Sequence, residues 1–369
     1  MHMSWNPFQR LFSPKKILGI DIDTSYIKVV ELSKFKNKQK LENYGFVSTT
    51  DFSEKPFRTF EKNNILLSTE NVIEVIKSII QETGIKTKQV VFSIPDFSTF
   101  FTNFELPWMK NEELDQAIQY EAKQHIPLSL KEVTLDWQVI SDDLTNKSKD
   151  NPVKKRKLKI LLVAVPKTII NQYQEIAALT NLELISLETE AFCLTRSLIK
   201  KDEKDIVALI GIGVSSTTCS IIQDGKLENS YSFNMSSNKF DKAIAEKFNI
   251  NYLEAEKLKK QCGLLHNENN EKDICQILLP LVDIILMEIQ KIFDKFYQKE
   301  GREIKKIILT GGTSLLPGLK EYFQVKLKKE IIIAQPFSNF DYPPILEKTL
   351  KEIGPSYAVS VGAALRGLA

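Results

Sequence analysis

Small or hydroxyl-bearing side chains follow apolar, strand-like segments at three places in the chain, residues 19–28, 211–218 and 310–318. Glycine, serine and threonine at such junctions allow successive backbone N–H groups to point outward together. Fixed amide dipoles of this kind bind the negative charge of a polyphosphate without steric obstruction. One such turn is weak evidence, because most turns after a strand only reverse the chain. Three in one chain indicate a cleft that binds phosphate groups.

The segments that carry the first two junctions share one pattern. In each, an apolar strand enters a turn of small or polar residues and is followed by a second strand, which is typical of a β-hairpin. Comparison of residues 18–30 with residues 209–221 therefore predicts an internal duplication of a sheet-and-turn unit. The third junction follows a predicted strand over 304–309 and leads into a helix.

The segment from residue 96 to residue 180 interrupts the first of these units. It combines predicted strands near 99–105, 133–140 and 159–165 with predicted helices over 111–125 and 167–179. This mixture indicates a compact α+β unit inserted into the first domain. We therefore expect a first domain at 17–95 and 181–205, an inserted subdomain at 96–180 and a second domain at 206–369.

Composition and charge exclude several classes of function. The 369 residues suit two or three domains, and 50 basic against 47 acidic side chains provide no electrostatic footprint for nucleic acid. The four cysteines share no CxxC spacing and the three histidines are too few for a metal site, so we expect reduced, mostly buried thiols. The apolar stretch 274–293 contains Asp283 and Glu288, which favours a buried helix over a membrane span.

Two further strings complete the pattern of junctions, LETEAF at 187–192 and GPSYAVSVGAA at 354–364. Together with the three junctions they resemble the actin/Hsp70/sugar-kinase superfamily, in which helices at such strings join the two domains. The resemblance implies an α/β, actin-like (ribonuclease H-type) duplicated two-domain fold that binds ATP or ADP with Mg²⁺. It makes 19–28 and 211–218 the phosphate loops and 310–318 the adenosine loop.

The same resemblance implies individual roles for residues of this chain. Asp21 would hold Mg²⁺ through water, and Glu188 would orient the water that attacks the nucleotide. Glu188 also suits a structural acid at a helix start, and Glu256 with Lys259 also suits a surface ion pair one helix turn apart. The implied nucleotide contacts are Asp23, Thr24, Ser25, Lys28, Gly213, Ser215, Ser216, Thr217, Glu256, Lys259, Gly311, Gly312 and Thr313.

Within the superfamily, the chain is similar to the PilM family of type IV pilus assembly proteins. The likeness covers roughly residues 17–367 and is carried by FELPWM at 104–109, NEELDQAI at 111–118, YEAKQHIPL at 120–128 and AQPF at 334–337. It implies an FtsA-type inserted subdomain and a nucleotide-binding scaffold. Such a scaffold would hold the N-terminal cytoplasmic peptide of a PilN-like inner-membrane protein in a groove between the first domain and the inserted unit.

The family resemblance also implies contacts with other pilus assembly proteins, self-association, and a cytoplasmic position at the inner membrane through the partner. An amphipathic segment within residues 1–16 would either contact lipid head groups or pack on the body as an arm. Two alternatives on the same fold are an FtsA-like cell-division protein and a small-molecule kinase.

Two positions depart from the family pattern. Asp23 stands where glycine is usual, so its carboxylate would lie close to incoming phosphates. Gly211 stands where the second phosphate loop normally opens with an aspartate of the magnesium shell. One carboxylate is lost and another is gained across the cleft. We therefore expect ATP binding with weak or absent ATPase activity.

Overall fold

The computed structural model describes residues 15–36, 38–49, 57–61, 64–142, 157–265 and 273–369. The strands are β1 (Lys15–Ile22), β2 (Tyr26–Phe35), β3 (Lys38–Ser48), β4 (Arg58–Glu61), β5 (Asn64–Leu67), β6 (Gln89–Ile94), β7 (Phe100–Pro107), β8 (Val133–Asp142), β9 (Lys157–Pro166), β10 (Glu183–Thr189), β11 (Val207–Ile212), β12 (Thr217–Gln223), β13 (Lys226–Phe233), β14 (Lys306–Thr310) and β15 (Glu330–Ile333). The helices are α1 (Thr69–Glu82), α2 (Asn111–His125), α3 (Lys167–Leu179), α4 (Glu190–Leu198), α5 (Ser237–Phe248), α6 (Tyr252–Cys262), α7 (Ile274–Glu300), α8 (Leu319–Leu327) and α9 (Glu347–Leu368). Most of the predicted N-terminal amphipathic segment lies outside the described residues. The same holds for most of the polar stretch 141–159, whose composition predicts a hairpin loop.

Two five-stranded sheets with the same topology form the centre of the molecule. Their strand orders are β3-β2-β1-β6-β10 and β13-β12-β11-β14-β15. In both, a hairpin pairs the first two strands antiparallel, and a later strand pairs parallel with the first. The predicted duplication is therefore confirmed. The sequence pattern predicts neither β13, which is rich in polar residues, nor β15, which has only four residues.

The 27-residue helix α7 is the longest support of the second sheet. The apolar stripe within the buried stretch predicts a helix over 281–296, but the helix begins earlier, at Ile274, and includes Pro280. Asp273 caps its first turn, and Leu278 and Val282, fully buried on either side of the proline, hold this stretch against the core. Among the described residues, no helix is both long enough and apolar enough to cross a bilayer.

The inserted unit is an antiparallel sheet in the order β7-β9-β8 with α2 on one face. Leu114 of α2 and Ile160 of β9 belong to one buried cluster that is separate from the two main cores. The second helix of the unit, α3, does not join this cluster. It packs on the first five-stranded sheet, where the ring of Tyr173 lies 5.7 Å from that of Phe92. Helix α3 thus shares the core of the first domain although its residues fall within the predicted unit 96–180.

A polar contact joins the inserted unit to the second domain. The ammonium of Lys159 on β9 lies 2.5 Å from a carboxylate oxygen of Glu228 on β13 and 2.8 Å from one of Glu300 on α7. The side-chain amide of Asn103 on β7 donates a hydrogen bond of 3.0 Å to the Glu228 carbonyl. The inserted unit therefore contacts the second domain as well as the first.

Helix α9 approaches β1 and α4 more closely than side chains at the contact would permit. A Cβ atom at Gly362 would lie 1.9 Å from the carbonyl oxygen of Cys193 on α4. A Cβ atom at Gly19 would lie 2.0 Å from the carbonyl oxygen of Ser360 on α9. Glycine at these two positions therefore sets the separation of the three elements. None of the four cysteines forms a disulfide, and three of them, including Cys193, are buried, as the sequence predicts.

Gly362→Ala is expected to lower the free energy of unfolding by about 3 kcal/mol, because overpacking a backbone contact pushes α9 away from α4. Gly312→Ala is the matched control, since a Cβ atom there meets nothing within 4 Å. Chemical denaturation of both variants measures the difference. Equal stability of the two variants would contradict the close-packing argument.

Candidate functional site

A cavity of about 470 Å³ lies between the two sheets, where the loops after β1, β11 and β14 meet. The structure thus brings together the three junctions singled out in the sequence. The predicted site residues that line this cleft are Asp21, Asp23, Lys28, Gly213, Ser215, Ser216, Glu256, Lys259, Gly311, Gly312 and Thr313.

Three other predicted nucleotide contacts support the loops instead of lining the cleft. The hydroxyls of Thr24 and Ser215 hydrogen-bond to each other at 2.6 Å, which links the first phosphate loop to the second. The carbonyl of Ser25 accepts a backbone hydrogen bond from the residue that follows β3. Thr217 is fully buried and donates its hydroxyl to the carbonyl of Met235.

The first and second predicted phosphate loops contain the same backbone turn. In the first, the N–H of Asp23 donates to the carbonyl of Tyr26 at 2.8 Å. In the second, the N–H of Gly213 donates to the carbonyl of Ser216 at 2.9 Å. Asp23 and Gly213 therefore occupy equivalent positions in the duplicated units. Only the first of these positions carries a side chain into the cleft.

The first loop concentrates charge at the end of β1. Asp21 accepts a hydrogen bond of 2.7 Å from the hydroxyl of Ser93, and its other oxygen lies 3.6 Å from the ammonium of Lys28. Lys28 also lies 3.9 Å from Asp23. The guanidinium of Arg58 donates to Asp23 at 3.0 Å. Two cations thus face two carboxylates at this edge of the sheet.

Arg58 and Glu190 are functional candidates that the sequence reasoning missed. Arg58 is only 4% exposed; its guanidinium donates to the Ile22 carbonyl at 3.0 Å and lies 3.4 Å from a carboxylate oxygen of Glu190. No motif marks Arg58, because it reaches the cleft through tertiary structure alone. Glu190 lies inside the LETEAF string, two residues after the predicted acid Glu188.

The carboxyl groups behind the first loop have altered acidity. Burial raises the pKa of Glu190 to about 8, Arg58 offsets this in part, and the neighbouring carboxylates add to it. Burial also raises the pKa of Asp96 to about 6, although Asp96 accepts hydrogen bonds from the N–H of Ala191 and the hydroxyl of Ser230. At neutral pH, Glu190 therefore keeps its proton in most molecules.

Two ion pairs lie on the side of the cleft that is predicted to bind adenosine. The ammonium of Lys259 is buried and binds Asp241 at 2.7 Å and the hydroxyl of Ser237 at 2.6 Å. Glu256 pairs with Lys260 at 2.8 Å. Glu256 and Lys259 are therefore not paired with each other, and the surface ion pair considered for them is not formed.

The loop after β14 requires glycine at its first position. Gly311 has a φ of +83°, and a Cβ atom there would lie 2.9 Å from the carbonyl oxygen of Ile212. Its N–H donates to the carbonyl of Pro355 on α9 at 2.9 Å, and the hydroxyl of Thr310 donates to the same carbonyl. The loop is thus hydrogen-bonded to α9 on one side and lies against the backbone of β11 on the other.

Glu188 does not reach the cleft, which corrects the role expected for it. Glu188 lies at the end of β10, and both of its carboxylate oxygens are bound by the guanidinium of Arg196 on α4, while Arg366 lies 3.9 Å away. Glu188 lines a different cavity, so it cannot orient a water molecule at the phosphate loops. Of the two acids of the LETEAF string, Glu190, the first residue of α4, is the one that lines the cleft.

The second cavity, of about 430 Å³, lies between the inserted sheet and the first domain. One wall is formed by β8 and β9, with Leu161 and Val163 among the lining residues. The other wall is formed by β10 and α4, including Phe192 and Arg196. We refer to this cavity below as the groove.

The chain is similar to proteins of known families. A family model described as type IV pilus assembly protein PilM matches residues 19–368. The cell division protein FtsA of Bacillus subtilis (strain 168) is 25% identical over an alignment 195 positions long, which covers 47% of this chain and 44% of that protein. The match with this curated relative therefore spans less than half of the relative's length.

Solved structures share the fold. The PilM-PilN type IV pilus biogenesis complex aligns with a TM-score of 0.78 and 22% identity, over 96% of this chain and 98% of that chain. MreB5 of Spiroplasma citri bound to AMPPNP aligns with a TM-score of 0.53 and 13% identity, over 95% of each chain. The predicted actin-like, duplicated two-domain fold with an inserted subdomain is therefore confirmed.

The stability of the protein is expected to fall as the pH rises from 6 to 8. Because the folded-state pKa of Glu190 is about 8 and its unfolded value is about 4.3, the unfolded chain loses this proton first, at a cost of up to about 1.4 kcal/mol per pH unit. Glu190→Gln should flatten this slope while it keeps the side-chain contact with Arg58.

Denaturant unfolding at several pH values measures the effect. Glu105→Gln is the control, because Lys157 lowers the pKa of that surface carboxyl and its titration is complete below pH 6. If wild type and Glu190→Gln lose the same amount of stability between pH 6 and pH 8, the raised pKa assigned to Glu190 is wrong.

Proposed function

The chain belongs to the PilM family of type IV pilus assembly proteins, and from that membership we propose that it is a nucleotide-binding scaffold that docks a PilN-like, membrane-anchored partner. The observation that carries this proposal is the presence of two cavities that share helix α4. The central cleft would take ATP or ADP. The groove would take the N-terminal cytoplasmic segment of the partner.

The central cleft has the chemistry that a nucleotide requires. Two glycine- or hydroxyl-rich turns present backbone N–H groups, and Lys28 and Arg58 supply positive charge for the phosphates. Gly311 and Gly312 line the cleft on the side of α6, and Gly312, where a Cβ atom would meet nothing within 4 Å, leaves space there for adenosine. The aligned MreB5 structure holds AMPPNP, which supports the same use of the cleft here.

Magnesium would reach this cleft mainly with the nucleotide. Within the part of the chain that the structure describes, no group of three His, Cys, Asp or Glu side chains could hold a metal ion. Asp21 offers one carboxylate, already engaged by Ser93 and near Lys28. Because Mg²⁺ keeps several water ligands in nucleotide sites, phosphate and water oxygens would provide most of its shell, with Asp21 acting through water.

The cleft suits nucleotide binding better than turnover. The acid expected to orient water, Glu188, lies in the groove and is bound by Arg196. Glu190 keeps its proton near neutral pH and lies against Arg58, so it is a poor base. Gly211 brings no carboxylate to the second loop. We therefore propose a scaffold conditioned by nucleotide, with feeble hydrolysis.

Lys28→Met should weaken ATP binding by about tenfold or more, because a charge-assisted hydrogen bond to phosphate contributes roughly 1.5–3 kcal/mol. Titration calorimetry with ATP, with and without Mg²⁺, measures the change. Lys351→Met on α9 is the control, since Lys351 pairs only at the surface with Glu347. Absence of binding heat for wild type in both conditions would refute the nucleotide proposal.

The groove suits an extended peptide with apolar side chains. Its β9 wall contributes Leu161 and Val163, and α4 contributes Phe192. Strand β8 is an edge strand of the inserted sheet, and edge strands pair readily with an added extended segment. The aligned structure with the highest score quoted above is a complex of PilM with PilN, which supports a PilN-like segment as the occupant.

Thr134→Trp should reduce the affinity for this segment at least about tenfold, because an indole at this exposed position of the β8 wall fills part of the groove. Fluorescence anisotropy with a labelled peptide of the PilN-like protein from the same organism measures the affinity. Glu105→Trp is the matched control, since Glu105 is exposed on the opposite edge strand of the same sheet. Binding of the peptide that is equally strong in both variants would place its site elsewhere.

The family match favours pilus assembly over the two alternatives, an FtsA-like cell-division protein and a small-molecule kinase. Through the partner, we propose a peripheral position at the cytoplasmic side of the inner membrane. Contacts with other pilus assembly proteins and self-association are further parts of this proposal. A pull-down with the PilN-like segment separates the alternatives, since neither a kinase nor an FtsA-like protein should retain it.

A further inference from the structure

The carboxylate of Asp23 sits on a set of donors that would suit a phosphate. One of its oxygens, Oδ1, accepts the N–H of Thr24 at 2.6 Å and the guanidinium of Arg58 at 3.0 Å. Its other oxygen, Oδ2, lies 3.9 Å from the ammonium of Lys28. A backbone amide, a guanidinium and an ammonium that converge on one anionic group are the usual components of a phosphate site.

The second phosphate loop provides an internal comparison. Its equivalent turn is closed by the same backbone hydrogen bond, but Gly213 stands where the first loop has Asp23. The second loop therefore has no side chain that could satisfy its own amides from this position. In the duplicated fold, one anion-binding turn is open and the other already holds a carboxylate.

We propose that Asp23 occupies the anion-binding position of the first phosphate loop, so that a phosphoryl group binds there only after it displaces this carboxylate from Thr24 and Arg58. Asp23 is then a specificity-determining residue that selects against polyphosphates, and Arg58 is the cation that receives the incoming phosphate. This inference rests on the proposed binding of nucleotide in the cleft.

The surroundings of Asp23 permit such an exchange. Its side chain is 20% exposed and borders the cleft, so it can turn toward solvent. Burial would raise the pKa of Asp23, but Arg58, Lys28 and the N–H of Thr24 together hold it below its usual value, so the carboxylate is a permanent anion at neutral pH. After its departure, Arg58 keeps a second carboxyl neighbour, Glu190, at 3.4 Å.

A tethered anion competes with a dissolved one at a high effective concentration. Removal of the carboxylate should therefore tighten phosphate-bearing ligands and leave adenosine unaffected. A role of Asp23 as a magnesium ligand predicts the reverse, since its loss would then weaken binding of Mg²⁺-ATP. A purely structural role as a counter-ion of Arg58 predicts no change in ligand affinity apart from effects on stability.

The test compares wild type with Asp23→Gly and Asp23→Asn in calorimetric titrations with adenosine, ADP, ATP and inorganic pyrophosphate. Asp23→Gly should bind ATP and pyrophosphate about tenfold or more tightly than wild type, because two charge-assisted hydrogen bonds no longer have to be broken. Asp23→Asn, which keeps the shape of the side chain but not its charge, should show part of this increase in ATP and pyrophosphate affinity. Adenosine affinity should be equal in all three proteins.

The double variant Asp23→Gly/Arg58→Gln tests the receiving cation. It should lose the gain in ATP and pyrophosphate affinity, while thermal unfolding shows whether it is folded; should it not fold, Asp23→Gly/Arg58→Lys replaces it and should retain less than the full gain. If Asp23→Gly binds ATP no more tightly than wild type, or more weakly, the inference about Asp23 is overturned and nucleotide binding stands. If no variant binds any of the four ligands, nucleotide binding itself is refuted, and this inference with it.

Discussion

The rest of the structure depends on the backbone contact that α9 makes with β1 and α4. Helix and strand approach so closely that Gly19 and Gly362 leave no room for a Cβ atom. Protein interiors are close-packed, so such a contact has only one separation and transmits any displacement. The same helix accepts hydrogen bonds at the Pro355 carbonyl from Gly311 and Thr310 of the second domain. One helix therefore fixes the predicted adenosine loop of one half relative to the strand that carries the predicted phosphate loop of the other.

Helix α4 lies beneath this contact and borders both cavities. At its start, Glu190 lies against Arg58 in the cleft. Two and six residues later, Phe192 and Arg196 line the groove. Because Cys193 of α4 is held against the backbone of α9, the helix is a rigid wall between the two sites. The charge cluster of the cleft and the apolar surface of the groove are thus built on one short element.

Much of this arrangement could be predicted from local patterns. Helix α2 ends before Pro127 and α3 follows Pro166, and such punctuation marks helix boundaries in the sequence itself. The duplication predicted that two turns would face one cleft. Arg58 could not be predicted, because its partners Asp23 and Glu190 are brought to it only by the tertiary fold. Nor could sequence separate Glu188 from Glu190, since the direction of each side chain is set where β10 becomes α4.

The presence of Asp23 in the first loop and the burial of Arg58 explain each other. A guanidinium that is only 5% exposed is unfavourable unless carboxylates compensate its charge. Burial lowers the pKa of Arg58, but the charges of Asp23 and Glu190 raise it by a larger amount. The net pKa is raised, so Arg58 stays a cation. Glu190 completes this balance because its pKa of about 8 places it close to ionisation. Between the departure of Asp23 and the arrival of a phosphate, a repulsive neighbour of Glu190 is absent, so the Glu190 proton would be released more easily. The new carboxylate would serve as the counter-ion of Arg58 until the phosphate takes that role. In the exchange proposed for Asp23, the cluster would replace one anion with another without leaving a buried charge unpaired, and a phosphate would thereby enter a loop that holds an aspartate of its own.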